Sequence, residues 1–152
     1  MKNKFKKLIF LFLLNIFFTS NIVGEEIKFE ANFIELIDEE KRIIAKKNVK
    51  IINDKEIIYA DEMDYDKTKQ IIKAKGNIRI EHLKKNIEIF SDELIYFKNK
   101  EIFSLNKNVR INFENKLLLN TQEVLYDKNK KEIITNSFST FKDNFGNKIS
   151  SE

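Results

Sequence analysis

The chain has 152 residues, 34% charged and 42% hydrophobic, with no cysteine, no proline, no tryptophan and one histidine. This length predicts a single domain. Without cysteine there is no disulfide, thiolate-zinc or iron–sulfur site, and a lone histidine argues against histidine-based metal sites, so we expect no cofactor and no metal. The net charge of +4 comes from Lys2, Lys4, Lys6 and Lys7, because the other 24 basic residues balance the 24 acidic ones. We therefore expect no nucleic-acid partner.

Residues 1–24 read as a secretory signal peptide. Lysines precede an apolar stretch, residues 8–18, which is interrupted only by Asn15 and is too short to span a bilayer of roughly 30 Å. Gly24 is the best small residue for the position before cleavage, whereas Ile22 is bulky for that motif. A retained inner-membrane anchor is the alternative. Either way, the remaining domain, 25–152, is expected in the periplasm.

Two short sequence elements alternate along the rest of the chain, which indicates an internal repeat of about thirty residues. The first element occupies residues 43–51, 71–80 and 102–111, and the second occupies residues 60–65, 91–96 and 121–126. A degenerate earlier copy covers 31–36, and a weak later one covers 133–141.

Both elements alternate apolar and polar residues with the period of a β-strand. In each copy of the first element, apolar residues fall at alternate positions and so share one face of the strand. We call these twelve residues the apolar parity set: Ile43, Ala45, Val49, Ile51, Ile72, Ala74, Ile78, Ile80, Phe103, Leu105, Val109 and Ile111. The short connections are rich in Asn and Asp, which close hairpins without glycine and leave no room for a helical crossover. The sequence therefore predicts eight or nine antiparallel strands whose apolar face closes on itself, as two facing sheets or a curled roll.

The segments 59–66 and 72–80 resemble the OstA-like N-terminal domain family. Members include the periplasmic bridge protein of lipopolysaccharide transport (LptA) and the N-terminal part of the outer-membrane assembly protein (LptD). The family pattern is an alanine–aspartate strand ending in tyrosine–aspartate, followed by a strand containing glycine–asparagine, here Gly76-Asn77. The likeness covers nearly all of residues 27–141. Lys47 and Lys107 replace the glycine, and Gln122 replaces the aspartate.

The resemblance implies an all-β fold: an open, twisted, antiparallel β-jelly roll whose interior holds the acyl chains of lipopolysaccharide. The twelve apolar residues would then line a lipid-binding groove, and the function would be to pass lipopolysaccharide toward the outer membrane. The implied partners are lipopolysaccharide and further jelly-roll modules, joined by edge-strand addition. The chain would be either a whole bridge protein or the amino-terminal part of a longer assembly protein, which would associate with the outer membrane.

The sequence is compatible with three alternative interpretations. The apolar parity set suits a closed dry core as well as an acyl-lined groove. An anchored adaptor of the same pathway (LptC-like) fits a retained N-terminal segment. A β-solenoid that binds protein or glycan on its outer surface also fits the repeat.

Several polar residues recur once per repeat. Lys50, Arg79 and Arg110 lie on the polar face of the first element, where they are expected either to face solvent or to contact lipid headgroups. We expect the rings of Tyr65, Tyr96 and Tyr126 to pack against the protein and their hydroxyl groups to reach water. We expect Glu62, Glu93 and Glu123 at surface positions, where their charges discourage unwanted strand pairing. We expect His82 to be an ordinary loop residue. No catalytic motif accompanies these residues, so we do not expect an enzyme.

Overall fold

The structure, a computed structural model, describes residues 27–151; the predicted signal peptide or anchor lies outside the described residues. Eleven strands form: β1 (Lys28–Glu30), β2 (Phe33–Ile37), β3 (Arg42–Ile52), β4 (Glu56–Asp66), β5 (Ile71–His82), β6 (Ile87–Phe97), β7 (Ile102–Phe113), β8 (Leu117–Asp127), β9 (Glu132–Ile134), β10 (Ser139–Asp143) and β11 (Lys148–Ser151). A single 3₁₀ turn (Lys98–Lys100) separates β6 from β7. Across 27–151, no helix has the length and apolar character needed to cross a membrane.

All eleven strands belong to one antiparallel sheet in the order β1-β3-β4-β5-β6-β7-β8-β10-β11. The first and last strands of this order do not pair with each other, so the sheet is open. β2 and β1 share β3 as a partner, and β9 and β10 share β8. The predicted all-β antiparallel fold is confirmed. The strand count exceeds eight or nine because the segments before β3 and after β8 are divided into short strands.

β3, β5 and β7 each carry a β-bulge near the middle, opposite the middle of β4, β6 and β8. Between β3 and β4 the register shifts, so that Lys47 and Asn48 stand opposite the single residue Asp61. The same shift recurs at Gly76-Asn77 and at 107–108. Both bulge residues have positive φ in every copy, for example +74° at Gly76 and +46° at Asn77. Because a bulge bends its strand and the bulges lie side by side, the whole sheet bends along one line.

The bend divides the sheet into two layers. Layer I contains residues 28–30, 49–52, 56–60, 78–82, 87–91, 109–113, 117–121, 139–143 and 148–151. Layer II contains residues 33–37, 42–46, 62–66, 71–75, 93–97, 102–106, 123–127 and 132–134. The ring of Phe29 in layer I lies 5.6 Å from that of Tyr65 in layer II, and Glu56 of layer I contacts Lys128 at the end of layer II. The sheet is therefore doubled over, with its apolar face inside.

The two layers are offset along the strand order. β1 in layer I contacts β4 in layer II, and the layer I half of β4 contacts the turn that follows β8 in layer II. A layer I strand thus faces a layer II strand two or more positions further along the order. Layer II consequently projects beyond layer I at the β2 end, and layer I projects beyond layer II at the β11 end.

Candidate functional site between the layers

The space between the layers is lined by the apolar parity set predicted from the repeat. All twelve residues of that set are buried, and none is more than 7% exposed. The second elements add inward residues from β4, β6 and β8, which are Ile58, Ala60, Met63, Tyr65, Ile89, Leu94, Tyr96, Leu119 and Val124. Facing sheets pack about 10 Å apart, so these side chains fill the space from both sides.

Packing between the layers leaves one apolar cavity of about 120 Å³ at the side opposite the bend. Layer I contributes Ile80, Ile89 and Ile111 to its wall, and layer II contributes Phe103 and Ile133. The polar groups in its lining are those of Glu56, His82, Tyr126 and Lys131. The rest of the wall is aliphatic or aromatic, and this part of the cavity suits hydrocarbon.

The apolar face continues past the enclosed part at both ends of the sheet. At the β2 end, Ile34 and Leu36 are 44% and 51% exposed, and they pair with the inward residues Ala45 and Ile43. Directly paired residues share a face, so both belong to the inward face of layer II. Isolated large apolar side chains on a surface are ordinary, whereas a contiguous exposed apolar row is a candidate interaction site.

At the β11 end, the same continuation occurs in layer I. Phe141 pairs with buried Leu119, and Ile149 pairs with Phe141. The exposed fraction rises along this row, from 1% at Leu119 to 40% at Phe141 and 72% at Ile149. The row loses its cover because no described strand of layer II lies opposite it.

A buried ion cluster of Glu56, Lys128 and Glu101 bridges the two layers beside the cavity. Lys128 Nζ lies 3.0 Å from Glu56 Oε1 in layer I and 2.7 Å from Glu101 Oε2 in the turn after β6. The side chains of Glu56 and Lys128 are only 4% and 11% exposed. The Tyr96 hydroxyl donates to Glu101 at 3.2 Å, and the ammonium lies 5.5 Å and 5.3 Å from the ring centres of Tyr96 and Phe103.

Titratable groups near this cluster have shifted pKa values; for example, burial raises the pKa of the Tyr126 hydroxyl. Burial raises the pKa of the Glu101 carboxyl, but the hydrogen bond and charge of Lys128 outweigh it and leave that pKa below its ordinary value. Burial lowers the pKa of His82, against the opposing charge of Glu56. The carboxylate of Glu101 is thus held in its charged form, and the imidazole of His82 is favoured as neutral.

The cationic residues predicted as headgroup contacts lie on the outer face of layer I. The Arg79 guanidinium stacks 4.9 Å above the Tyr59 ring, and that of Arg110 stacks 4.4 Å above Phe90. Lys50 pairs with Glu30 at 3.6 Å, and Arg79 pairs with Glu81. The sheet separates all three cations from the inner space, so the structure does not bring them together with the apolar lining.

The recurring glutamates lie on the outer face of layer II, beside the bend. Glu62 stands between Lys46 and Lys75 in the register, and Glu93 stands opposite Lys75. Lys107 Nζ also contacts Glu93 at 2.8 Å, and this hydrogen bond lowers the pKa of the Glu93 carboxyl. The predicted surface position is confirmed, and the structure adds that opposite charges on neighbouring strands stabilise the pairing.

The recurring tyrosines and His82 differ in part from expectation. The rings of Tyr65 and Tyr96 are buried as predicted, but the Tyr96 hydroxyl donates to Glu101 instead of water, because Glu101 adopts a left-handed conformation at the end of the 3₁₀ turn. His82 is the last residue of β5 and lines the cavity rim, so the expectation of an ordinary loop residue is wrong. Within residues 27–151, no cluster of three or more His, Cys, Asp or Glu is placed to hold a metal ion.

Sequence reasoning missed the buried ion cluster. Glu56 lies two and four residues before Ile58 and Ala60 in the same strand, so it shares their inward face, a signal that the sequence contained. Its partner Lys128 lies 72 residues away, and the offset between the layers that joins them has no local sequence signature.

The chain is similar to a known protein family and to solved structures. The model of a family described as OstA-like protein matches residues 26–141. The structure matches the crystal structure of LptH, the LptA homologous periplasmic component of the conserved lipopolysaccharide transport device from Pseudomonas aeruginosa, with a TM-score of 0.66. The two chains are 14% identical over 73% of this chain and 82% of LptH, a likeness that confirms the predicted jelly-roll fold. No curated protein sequence matches the chain.

Proposed function

The chain belongs to the OstA-like protein family, and from this premise we propose that it is a carrier module in lipopolysaccharide transport, holding acyl chains between its two layers. The observation that carries the proposal is the continuous inward apolar face, which is enclosed in the middle and open at both ends. Residues 1–24 would direct the chain to the periplasm, and 25–152 would form the carrier domain.

The lining has the physical properties that hydrocarbon transport needs. Burial of hydrocarbon contributes about 0.8 kcal/mol per methylene, so one acyl chain of about a dozen carbons gains roughly 10 kcal/mol before ordering costs. Aliphatic side chains offer contacts without preferred direction, so a chain that slides past them breaks no hydrogen bond. The twelve predicted lining residues fit this role as groove-lining contacts. Lys50, Arg79 and Arg110 lie on the other face of the sheet, and for them we propose contacts with headgroup phosphates outside the groove only.

The two projecting ends support the stacking of modules. Layer II projects with Ile34 and Leu36 at the β2 end, and layer I projects with Phe141 and Ile149 at the β11 end. When a second copy or a related module abuts the first end to end, each projection covers the uncovered row of its neighbour. The free edges of β1 and β11 would then pair by strand addition, and the apolar space would continue from one module to the next.

The proposal is tested by photo-cross-linking in cells at two adjacent isoleucines. Ile133 lines the cavity, whereas Ile134 faces outward and is 47% exposed. A benzoylphenylalanine at position 133 should form an adduct with lipopolysaccharide, and the same probe at position 134 should not. Equal labelling at both positions, or none at either in folded exported protein, would overturn the carrier function.

A further inference from the structure

The side of the molecule opposite the bend is where the interlayer space would open. Hairpin turns of layer I meet hairpin turns of layer II along this side, and no covalent connection joins the two rows of turns there. Among the ion pairs within 4.0 Å in the described residues, Glu56 with Lys128 links the layers across this side. The charge of Lys55 in layer I also attracts Glu101 of layer II, more weakly than Lys128 does. The cavity lies next to this pair, and Glu56 contributes to both.

The two layers contribute different numbers of residues to the buried ion cluster. Glu101 and Lys128 both belong to turns of layer II, and the Lys128 backbone N–H donates to the Glu101 carbonyl at 3.0 Å. Glu56 is the member of the ion-paired cluster that comes from layer I. It is held in place by Asn53, whose side-chain Oδ1 accepts from the Glu56 backbone N–H at 2.7 Å. Separation of the layers therefore breaks the Glu56–Lys128 contact and leaves the Lys128–Glu101 contact intact.

Lys128 would not be left alone after such a separation. Its ammonium would keep the Glu101 carboxylate and the faces of the Tyr96 and Phe103 rings, which stack on each other with centres 4.2 Å apart. Glu56 would remain fixed by Asn53 at the start of β4 and would gain water. Since both partners have a stable alternative environment, the contact is suited to break and form reversibly.

We propose that the Glu56–Lys128 contact is a latch that holds the layers closed on the lateral side and must open for an amphiphile to enter the cavity from that side. This inference rests on the proposed carrier function. It adds a lateral entrance to the open ends, and it assigns control of that entrance to one ion pair.

Two isosteric variants separate the latch from the stability of the cluster. Glu56→Gln removes the carboxylate whose ion pair spans the layers, and Glu101→Gln removes an equal charge whose ion pair with Lys128 lies within layer II. Entry is followed by stopped-flow fluorescence with cis-parinaric acid, a fatty acid that fluoresces when its surroundings become apolar. We expect entry to be about tenfold faster in Glu56→Gln, the factor for one buried charge-assisted hydrogen bond that no longer has to break, and unchanged in Glu101→Gln.

Layer separation is measured directly with spin labels, for which the absence of cysteine from the chain is convenient. Labels at Lys84→Cys and Lys130→Cys sit on exposed turns of layers I and II. Pulsed dipolar spectroscopy should give a longer and broader distance in Glu56→Gln than in the wild type or in Glu101→Gln. The outer-surface variant Lys116→Gln should match the wild type in both measurements.

The outcomes distinguish this inference from the proposed function. If cis-parinaric acid binds at equal rates in all variants and the label distance stays constant, the latch is wrong and the carrier function stands. If Glu56→Gln and Glu101→Gln change both readouts equally, the cluster serves stability alone and the latch is again wrong. If neither cis-parinaric acid nor lipopolysaccharide binds the folded wild type, the carrier function itself fails.

Discussion

The residue at the first bulge position must adopt a left-handed backbone conformation. The copies of the repeat differ in the residue that does so, which is glycine in one copy and lysine in the others. Gly76 has φ +74° without strain. A Cβ at this position would lie 3.0 Å from the Cβ of Asp61, whose carboxylate accepts a hydrogen bond from Asn77 at 2.8 Å. Lys47 has φ +62° at the equivalent place and bears the steric cost of a side chain there. The glycine–asparagine motif is therefore explained by the bulge.

A reciprocal exchange tests this explanation. Gly76→Lys should destabilise the fold by more than about 1 kcal/mol, because it combines the unfavourable φ with a clash against Asp61. Lys47→Gly should instead be neutral or stabilise by up to about 1 kcal/mol. Urea unfolding followed by circular dichroism measures both. Equal destabilisation by the two changes would contradict the explanation.

The ion pair of Arg42 and Asp64 predicts a loss of stability in acid. Arg42 Nε donates to Asp64 Oδ1 at 2.7 Å, and this hydrogen bond lowers the pKa of the Asp64 carboxyl below the ordinary 3.8. A carboxyl whose pKa is lowered by folding contributes stability above its unfolded pKa, and that contribution is lost as the pH falls through the folded pKa.

Asp64→Asn should therefore lower the melting temperature at pH 7, by an amount corresponding to at most about 1 kcal/mol for a partly exposed pair. As the pH falls below 3.8 and through the lowered pKa of the folded state, its melting temperature should approach that of the wild type. Calorimetry between pH 2 and pH 7 checks both values, and a constant difference across this range would contradict the assignment.

At the scale of the strand, the alternation of apolar and polar residues was sufficient to predict which side chains face inward. Every member of the apolar parity set is buried, because a period of two leaves a strand only two faces to choose between. The bulges were not predicted, since their positive φ values fall on Lys47 and Lys107 as well as on Gly76, and lysine carries no signal for that conformation. The short strands β1, β2, β9 and β10 lie where the repeat is degenerate, which is why their number was not predicted.

Burial along a strand predicts the cost of truncating its side chains. Leu105 in β7 is fully buried between the layers, whereas Leu125 in β8 faces outward and is 40% exposed. Leu105→Ala should cost about 2–5 kcal/mol, and Leu125→Ala should stay within about 0.5 kcal/mol. Chemical denaturation of the two variants gives the comparison, and similar costs would mean that the layers do not enclose Leu105.

At the scale of the whole molecule, the offset between layers decides which surfaces remain uncovered. The sequence predicted that an apolar face closes on itself but contained no measure of the offset, because this property depends on the twist of the entire sheet. The same offset brings Glu56 to Lys128 and leaves the rows at β2 and β11 uncovered. The buried ion cluster and the projecting ends were thus beyond prediction for one shared reason.

The projecting ends predict association that depends on concentration. Phe141→Asp places a charge in the uncovered row of layer I and should weaken association strongly, since an unpaired charge would become buried in the contact. Phe145→Asp alters the most exposed aromatic residue of the described chain, in the turn outside that row, and should leave association unchanged. Sedimentation velocity over a range of concentrations measures both. A wild type that stays monomeric throughout would contradict end-to-end stacking.

The run of nine strands along the sheet order also fixes a length. Neighbouring strands are about 4.8 Å apart, so each copy would add roughly 40 Å to a stack, with every strand lying across the long axis. If copies stack end to end as proposed, a gap between two membranes would be spanned by a whole number of copies. The length of the stack would then change in increments of one copy, and a change in the twist of the stacked sheets would accommodate smaller differences in the width of the gap.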